Sequence, residues 1–336
     1  MSYISIGDMA QTYMIRRQNA QLKSTVTTLA NELSTGKTSD ISKRFSGDFS
    51  LVSSLETSLS SMHAYKSAAN EAGQFATVMQ LALGNIQDQT TAAVSSLLLM
   101  NASSSQVQID NTATAARQNF DAAISALNTQ VGGRSVFSGT ATDKAAIAAP
   151  DVIIAALQVA IAAETTAAGV EGAVNTWFDA PGGGFETVGY LGSSTSLASF
   201  RLGIGQDADI SVKASDSEIR DTLKGLALAA LVSDGALAGD IPEQAILLES
   251  AGGNLLSVGD KQTKVRANLG SVEAYIENVS TQTSAEISSL EIVRTELLSV
   301  DPYDTASEIE AVQTQLETLY ALTARMSRLS LVDFLR

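Results

Sequence analysis

Few residues in this 336-residue chain have the types and spacing that chemistry requires. Thr35-Gly36-Lys37-Thr38 has the end of a phosphate-binding loop. That motif also needs a glycine five residues before Gly36, where Asn31 stands, and a preceding strand, where Leu22–Leu33 reads as helix. Gly203-Ile204-Gly205 is half of a dinucleotide fingerprint, but it falls between two short strand-like runs and reads as a turn. Asp207, Asp209, Asp216 and Glu218 are acidic enough to suggest calcium, yet they lack the alternating ligands and central glycine of an EF-hand loop and read as solvated turn residues. His63 is the one histidine, so any Ser-His-Asp triad would have to use it. It sits beside an apolar stripe with no partner in view. Trp177 and Phe178, ahead of Asp179-Ala180-Pro181-Gly182, read as a packing anchor at a turn. With no cysteine there is no disulfide, thiol nucleophile or Cys-based metal site. The expectation is a protein that is not an enzyme and carries no cofactor and no metal.

The composition points the same way. Hydrophobic residues make up 45% of the chain, enough for a folded core, while aromatics are only 5% and there are four prolines. That balance favours long helices packed by aliphatic side chains. A net charge of −15 repels phosphate backbones and anionic lipid, so neither nucleic acid nor membrane insertion is expected. The most apolar stretch, Ala145–Ala163, is interrupted by Pro150, Asp151 and Gln158 and falls short of a membrane span. The pattern of residues 1–21 is not that of a signal peptide, so any export is expected to proceed without a cleaved leader.

Glycine and proline divide the chain. Between Leu51 and Val131 the only glycines are Gly73 and Gly84 and there is no proline, whereas glycine is frequent from Gly132 to Gly270 and stops thereafter. The arms on either side carry 3/4 spacing. Leu22, Val26, Leu29 and Leu33 form the first stripe, then Val52, Leu55, Leu59 and Met62 after a break at Gly36. The last arm has Val265, Leu269, Val272, Ile276 and Val279, then Leu290, Val293 and Leu297, and a fresh segment after Pro302 with Ile309, Val312, Leu316, Leu319 and Met326. One helix over most of 52–131 would be on the order of 120 Å long. A narrow stripe on so long a helix must be covered by other helices, which favours coiled-coil rods over a globular bundle.

The two ends, residues 1–35 and 303–336, are amphipathic and set off by breakers. Each would be marginal alone, so they are expected to be mobile in a free monomer and ordered by packing on each other and on neighbouring copies. The middle differs. Phe185–Gly192, Ser199–Gly205 and Asp209–Ala214 approximate the alternation of strands, and Asp151 to about Thr166 and Ser217–Val232 read as helices. The fold class predicted is mainly α: long antiparallel coiled-coil rods from the N- and C-terminal arms, with a central α+β insert.

Four segments resemble the flagellin superfamily, and within it the proteins of the hook–filament junction. Leu29-Ala-Asn-Glu-Leu-Ser-Thr-Gly-Lys37 is similar to the family's first-helix ending. Phe45-Ser-Gly-Asp-Phe-Ser50 stands where the family has an Asp-Asp-Pro turn, of which only Asp48 is kept. Leu127-Asn-Thr-Gln-Val-Gly-Gly-Arg-Ser-Val-Phe-Ser-Gly-Thr140 is similar to the exit of the family's long rod, and Met326-Ser-Arg-Leu-Ser-Leu-Val-Asp-Phe-Leu-Arg336 to a junction-protein C-terminus. The resemblance covers residues 1–140 and 255–336.

The resemblance implies an inner terminal-helix domain (1–45 and 302–336), a rod domain (46–139 and 256–301) and an outward-facing α+β insert domain (140–255). The assembly interface would be Leu22, Val26, Leu29, Leu33, Ile309, Val312, Leu316, Leu319, Met326, Leu329, Leu331, Phe334 and Leu335. The rod core would be Val52, Leu55, Leu59, Met62, Val265, Leu269, Val272, Ile276, Val279, Leu290, Val293 and Leu297. It also implies a homo-oligomeric ring with hook-associated protein 1 on the hook side and flagellin on the filament side. An export chaperone, type III export and an extracellular place at the hook–filament junction go with it. A filament-forming flagellin and a soluble coiled-coil protein with a ligand-binding insert are the alternatives.

Overall fold

A computed structural model describes residues 6–45 and 47–334, with side chains over 9–42, 44–45 and 47–326. In chain order the elements are α1 (Ile6–Thr35), α2 (Ile41–Arg44), α3 (Ser50–Leu97), α4 (Gln106–Leu127), β1 (Gln130–Val131), β2 (Arg134–Ser135), α5 (Pro150–Ile161) and α6 (Ala167–Asp179). A π-helical turn (Phe185–Gly189), β3 (Phe200–Gly203), β4 (Gln206–Ala208), α7 (Ser217–Ser233), α8 (Ile241–Leu298) and α9 (Pro302–Phe334) follow. The fold is mainly α, and among the described residues its strands form two antiparallel hairpins, β1-β2 and β3-β4. The chain forms two units, residues 1–62 with 285–336, and residues 63–284. Helices α3 and α8 contribute to both.

The larger unit holds the core. Ala69, Ala72, Phe75, Ala76, Met79, Leu83 and Ile86 of α3 are buried at 3/4 spacing, as are Ile109, Ala113, Ala116, Phe120, Ala123 and Leu127 of α4. Helix α7 lies at the centre. It is buried without interruption from Gly225 to Val232 and packs along α4. Polar ties between α3 and α8 fix an antiparallel register. The Lys66 ammonium donates to Ser280 Oγ (2.6 Å), the Thr77 hydroxyl to Glu273 (2.7 Å), and the Arg266 guanidinium to Gln87 Oε1 (2.6 Å). Each step forward on α3 is met by a step back on α8.

The expected single helix over 52–131 is two helices. Helix α3 stops at Leu97, and α4 restarts at Gln106 behind Ser105. Ser105 and Gln108 form a reciprocal capping box, the Gln108 N–H donating to Ser105 Oγ and the Ser105 N–H to Gln108 Oε1. That Ser-x-x-Gln pattern stands in the sequence and marks the break. The last arm also begins far earlier than its apolar spacing suggests. Helix α8 starts at Ile241 with Pro242 in its first turn, where a missing N–H costs nothing, and runs through Gly252 and Gly253.

At the base of the insert, Asn128 acts as a clamp. Its Nδ2 donates to the Ile147 carbonyl (2.8 Å) and its Oδ1 accepts from the Ile147 N–H (2.9 Å). Arg117 of α4 gathers three carboxylates: Asp121 (3.0 Å), Asp234 after α7 (2.9 Å), and Asp151 at the start of α5. Burial pulls its pKa down, but these carboxylates outweigh that and raise it. Inside the insert, Trp177, Phe178, Phe185 and Tyr190 form an aromatic cluster with centroids 4.8 Å apart for Trp177–Phe178 and 5.5 Å for Phe178–Phe185.

Three local readings of the insert change. Phe185–Gly189 is a π-helical turn, not a strand, because burying Phe185 and Gly189 together against Trp177 demands helical spacing. The strand expected at 209–214 does not form: those residues are irregular, and the strand β4 lies just before them at Gln206–Ala208, paired to β3 through a bulge. Helix α5 ends at Ile161, five residues before the expected Thr166.

At Gly252 α8 comes close against α3. A methyl group there would lie 2.9 Å from Leu97 Cβ, a backbone-fixed atom, whereas one at the exposed Gly253 meets nothing. We predict that Gly252→Ala costs about 1–3 kcal/mol through overpacking. Gly253→Ala should gain up to about 1 kcal/mol from helix propensity. Urea midpoints read both, and equal shifts of the two variants would refute the close approach.

Asp216, ahead of α7, accepts the Lys213 N–H (2.8 Å), but burial raises its carboxyl pKa above the ordinary 3.8. A raised pKa means the folded state holds the proton more tightly. This contribution is therefore full below the unfolded value and is lost as pH rises through the folded one. Asp216→Asn keeps the acceptor without the charge. Its stability relative to the native chain should rise as pH climbs from below the ordinary carboxyl value of 3.8 towards neutrality. A difference that stays flat in urea melts across that range would contradict the assignment.

Candidate assembly interface

The smaller unit is built on α1 and α9, which pair antiparallel. Gln11 Nε2 donates to Met326 Sδ (3.6 Å), and Tyr320 bonds Asn19 and Lys23. At the other end the Val300 N–H reaches the Gly36 carbonyl (3.1 Å) and the Thr38 N–H the Leu298 carbonyl (2.9 Å). Thr35–Thr38 is thus the stop of a helix and a bridge to the second arm. Gly36 takes φ +68° there, a conformation that favours glycine, and no strand precedes it. The buried carboxylate of Glu32 holds this turn by accepting the Ser39 N–H (2.6 Å). Glu56 of α3 pairs with Arg294 of α8 (2.6 Å), and Arg44 donates to the Leu297 carbonyl (3.0 Å).

This unit scarcely has an interior. Among the described residues its buried hydrophobic side chains are Leu29, Leu55, Leu59 and Leu319. Met9, Tyr13, Met14, Phe49, Leu51, Ile292, Tyr303, Tyr320 and Leu322 are exposed, Tyr303 to 79% and Tyr13 to 68%. Of the interface residues expected from the sequence, Leu29 and Leu319 are buried, and Leu22, Val26, Ile309, Val312, Leu316 and Met326 are half-buried along the α1–α9 seam. Leu33 faces outward. Leu329, Leu331, Phe334 and Leu335 lie outside the residues whose side chains are described.

Of the residues expected in the rod core, Leu55, Leu59, Leu269, Ile276 and Val279 are buried and Val52, Met62, Val265, Val272, Leu290 and Leu297 half-buried. Val293 departs from that expectation: it is 43% exposed. It lines an open hollow with Arg44, Phe45, Glu296 and Leu297 among the described residues. The apolar residues that the stripes missed, Met9, Tyr13, Phe49 and Ile292, lie beyond or off the 3/4 register. A stripe shows which face meets the nearest helix and not what the opposite face carries.

The other candidates do not converge. The half-fingerprint Gly203–Gly205 is the β3-β4 turn. Asp207 lies on β4 opposite Arg201, while Asp216 caps the approach to α7. Among the described residues no group of three His, Asp or Glu side chains is placed to hold a metal, and no helix is long and apolar enough to cross a membrane. His63 is exposed on α3. The insert's hollow, about 280 Å³ beside Gln158, Glu164 and Asp234, is open, and Gln158 is already engaged with the Asp234 carbonyl (2.8 Å). A second hollow in the smaller unit, about 630 Å³, is lined by Leu29 and Thr305 and by the carboxylates Glu32, Asp40, Asp304 and Glu308.

Residues 259–335, covering the greater part of α8 and all of α9, match the family model of the bacterial flagellin C-terminal helical region. That arm is flagellin-like. No curated protein matches the chain. A solved structure described as a flagellar hook-associated protein from Vibrio parahaemolyticus aligns at 13% identity over 70% of this chain and 94% of that one, with a TM-score of 0.39.

The Asn19 and Lys23 contacts lower the Tyr320 pKa. Tyr320 should therefore ionise at a lower pH in the native chain than it does without those contacts, read as a low-pH component of an alkaline phenolate titration. Replacing Asn19 and Lys23 together with alanine should shift it back to higher pH. A native titration curve with no early component would show that α1 and α9 do not pair this way.

Proposed function

We propose that this chain is a structural protein of the bacterial flagellum that assembles through its terminal helices. The observation that carries the reading is the inverted burial of the smaller unit. Two paired helices there bury a handful of leucines and leave Met9, Tyr13, Met14, Phe49, Ile292 and Tyr303 in water. Each such side chain would contribute about 1.5–3 kcal/mol if covered completely, before the cost of ordering. Neighbouring subunits are the natural cover, because residues 259–335 match a flagellin region and flagellins are assembly proteins.

At finer resolution we propose the hook–filament junction, with hook-associated protein 3 as the counterpart. The Phe137-Ser138-Gly139 exit and the Ser327–Arg336 ending support it. On this reading the terminal helices dock in a ring of copies, against hook-associated protein 1 on one side and flagellin on the other, after unfolded export with a chaperone. The inner, rod and insert domains keep the boundaries inferred from the sequence. The flagellin match also suits a filament subunit, and location separates the two: a spot at the hook tip for a junction protein, staining along the filament for a flagellin.

The assembly reading makes a direct prediction. A chain ending at residue 302 should keep the larger unit, judged by its cooperative melt, and fail to attach to flagella. Normal filament growth on that truncated chain would defeat the reading.

A further inference from the structure

The terminal helices are charged in bands. From Met9 to Lys23 the charged residues of α1 are Arg16, Arg17 and Lys23, with no acid among them. From Asp301 to Glu317 the second arm carries Asp301, Asp304, Glu308, Glu310 and Glu317, with no base. Arg16, Arg17, Asp304, Glu308 and Glu310 are all exposed. None of the five takes part in an ion pair among the described residues.

The antiparallel register keeps the Arg16–Arg17 band and the Glu308–Glu310 band apart within one copy, while Lys23, beside Tyr320, lies level with Glu317 one turn away. Gln11 lies beside Met326, Asn19 and Lys23 beside Tyr320, and Gly36 beside Val300. The Arg16–Arg17 pair is therefore level with the second half of α9. Asp304 and Glu308 sit across from Thr28, Leu29 and Glu32, around the acidic hollow. At about 1.5 Å per residue the bands are separated by on the order of 15–20 Å along the helix axis, too far for an ion pair within the chain.

Two copies set side by side in register, with the same polarity, place arginine against arginine and carboxylate against carboxylate. Sliding one copy along the axis by the band separation brings the opposite charges together. We propose that neighbouring copies pack their terminal helices with this axial offset, the Arg16–Arg17 band of one copy against the Glu308–Glu310 band of the next. The proposal rests on the assembly reading above and adds to it the stagger between copies. The apolar side chains supply the attraction, which has no preferred sliding position. The charge bands select one.

The test is a charge swap in the full chain, expressed in cells that lack the native copy. The readout is the ratio of chain attached to sheared flagella to chain free in the medium, which separates attachment from export. Asp304 is left alone, because it lies in the first turn of α9, where a positive charge would weaken the helix start. R16E/R17E should lower the ratio about tenfold or more, as should E308K/E310K. The four-residue swap restores complementarity at every contact and should return the ratio to near the native level. Far-UV melts of the purified variants establish that each is folded. R16Q/R17Q, which removes charge without reversing it, should fall between the native chain and R16E/R17E. Either pair attaching like the native chain, or the combined swap staying as low as the single pairs, overturns the offset. If truncation at residue 302 blocks attachment while the charge variants attach normally, only the stagger fails. If the truncated chain attaches, the assembly reading fails with it.

Discussion

A helix with an apolar stripe is stable in water only when something covers the stripe, and the two units of this chain meet that constraint differently. In residues 63–284, α3 and α8 join one continuous core with α4 and α7, and the second half of α7, Gly225–Val232, is enclosed on all sides. In the smaller unit α1 and α9 have chiefly each other. Two helices can cover one seam, at Leu29 and Leu319, but not the faces turned away from it. The division between a self-sufficient unit and one that presents apolar surface follows from how many helices are available to pack.

Polar groups then set the register. Long aliphatic seams tolerate sliding, since one leucine fits against another at several offsets. The pairs Lys66–Ser280, Thr77–Glu273 and Gln87–Arg266 remove that freedom for α3 and α8. In the smaller unit Glu32, with its carboxylate on the Ser39 N–H, and the main-chain bonds from Gly36 and Thr38 to the second arm do the same for α1 and α9. These bonds are modest individually, but they specify one alignment among many that burial alone would accept.

The arms were legible in the sequence because an apolar 3/4 rhythm is a local property. α1, α9 and α7 stand within a few residues of where spacing places them, and Leu55, Leu59, Leu269, Ile276 and Val279 are buried. What was not legible depended on contacts distant in sequence. Gly252 and Gly253 fall in the glycine-frequent middle assigned to the insert, yet α8 passes through them because Gly252 lets it approach Leu97. Phe185–Gly189 read as a strand until the position of Trp177 was known. Val293 keeps perfect heptad spacing and still faces water, because burial depends on whether a neighbour exists as well as on period. The restart at Ser105 is the exception: its capping box is local, and the apolar rhythm running on to Val131 hid it.

The Asn128 clamp bears on how freely the insert can change. Its amide engages only the main-chain N–H and C=O of Ile147, so it places no demand on the side chains that follow. The polypeptide emerging from α4 is anchored at that point whatever its identity. Substitutions in the segment that follows Ile147 therefore leave this anchor to α4 intact, because the bonds that form it are to main-chain atoms.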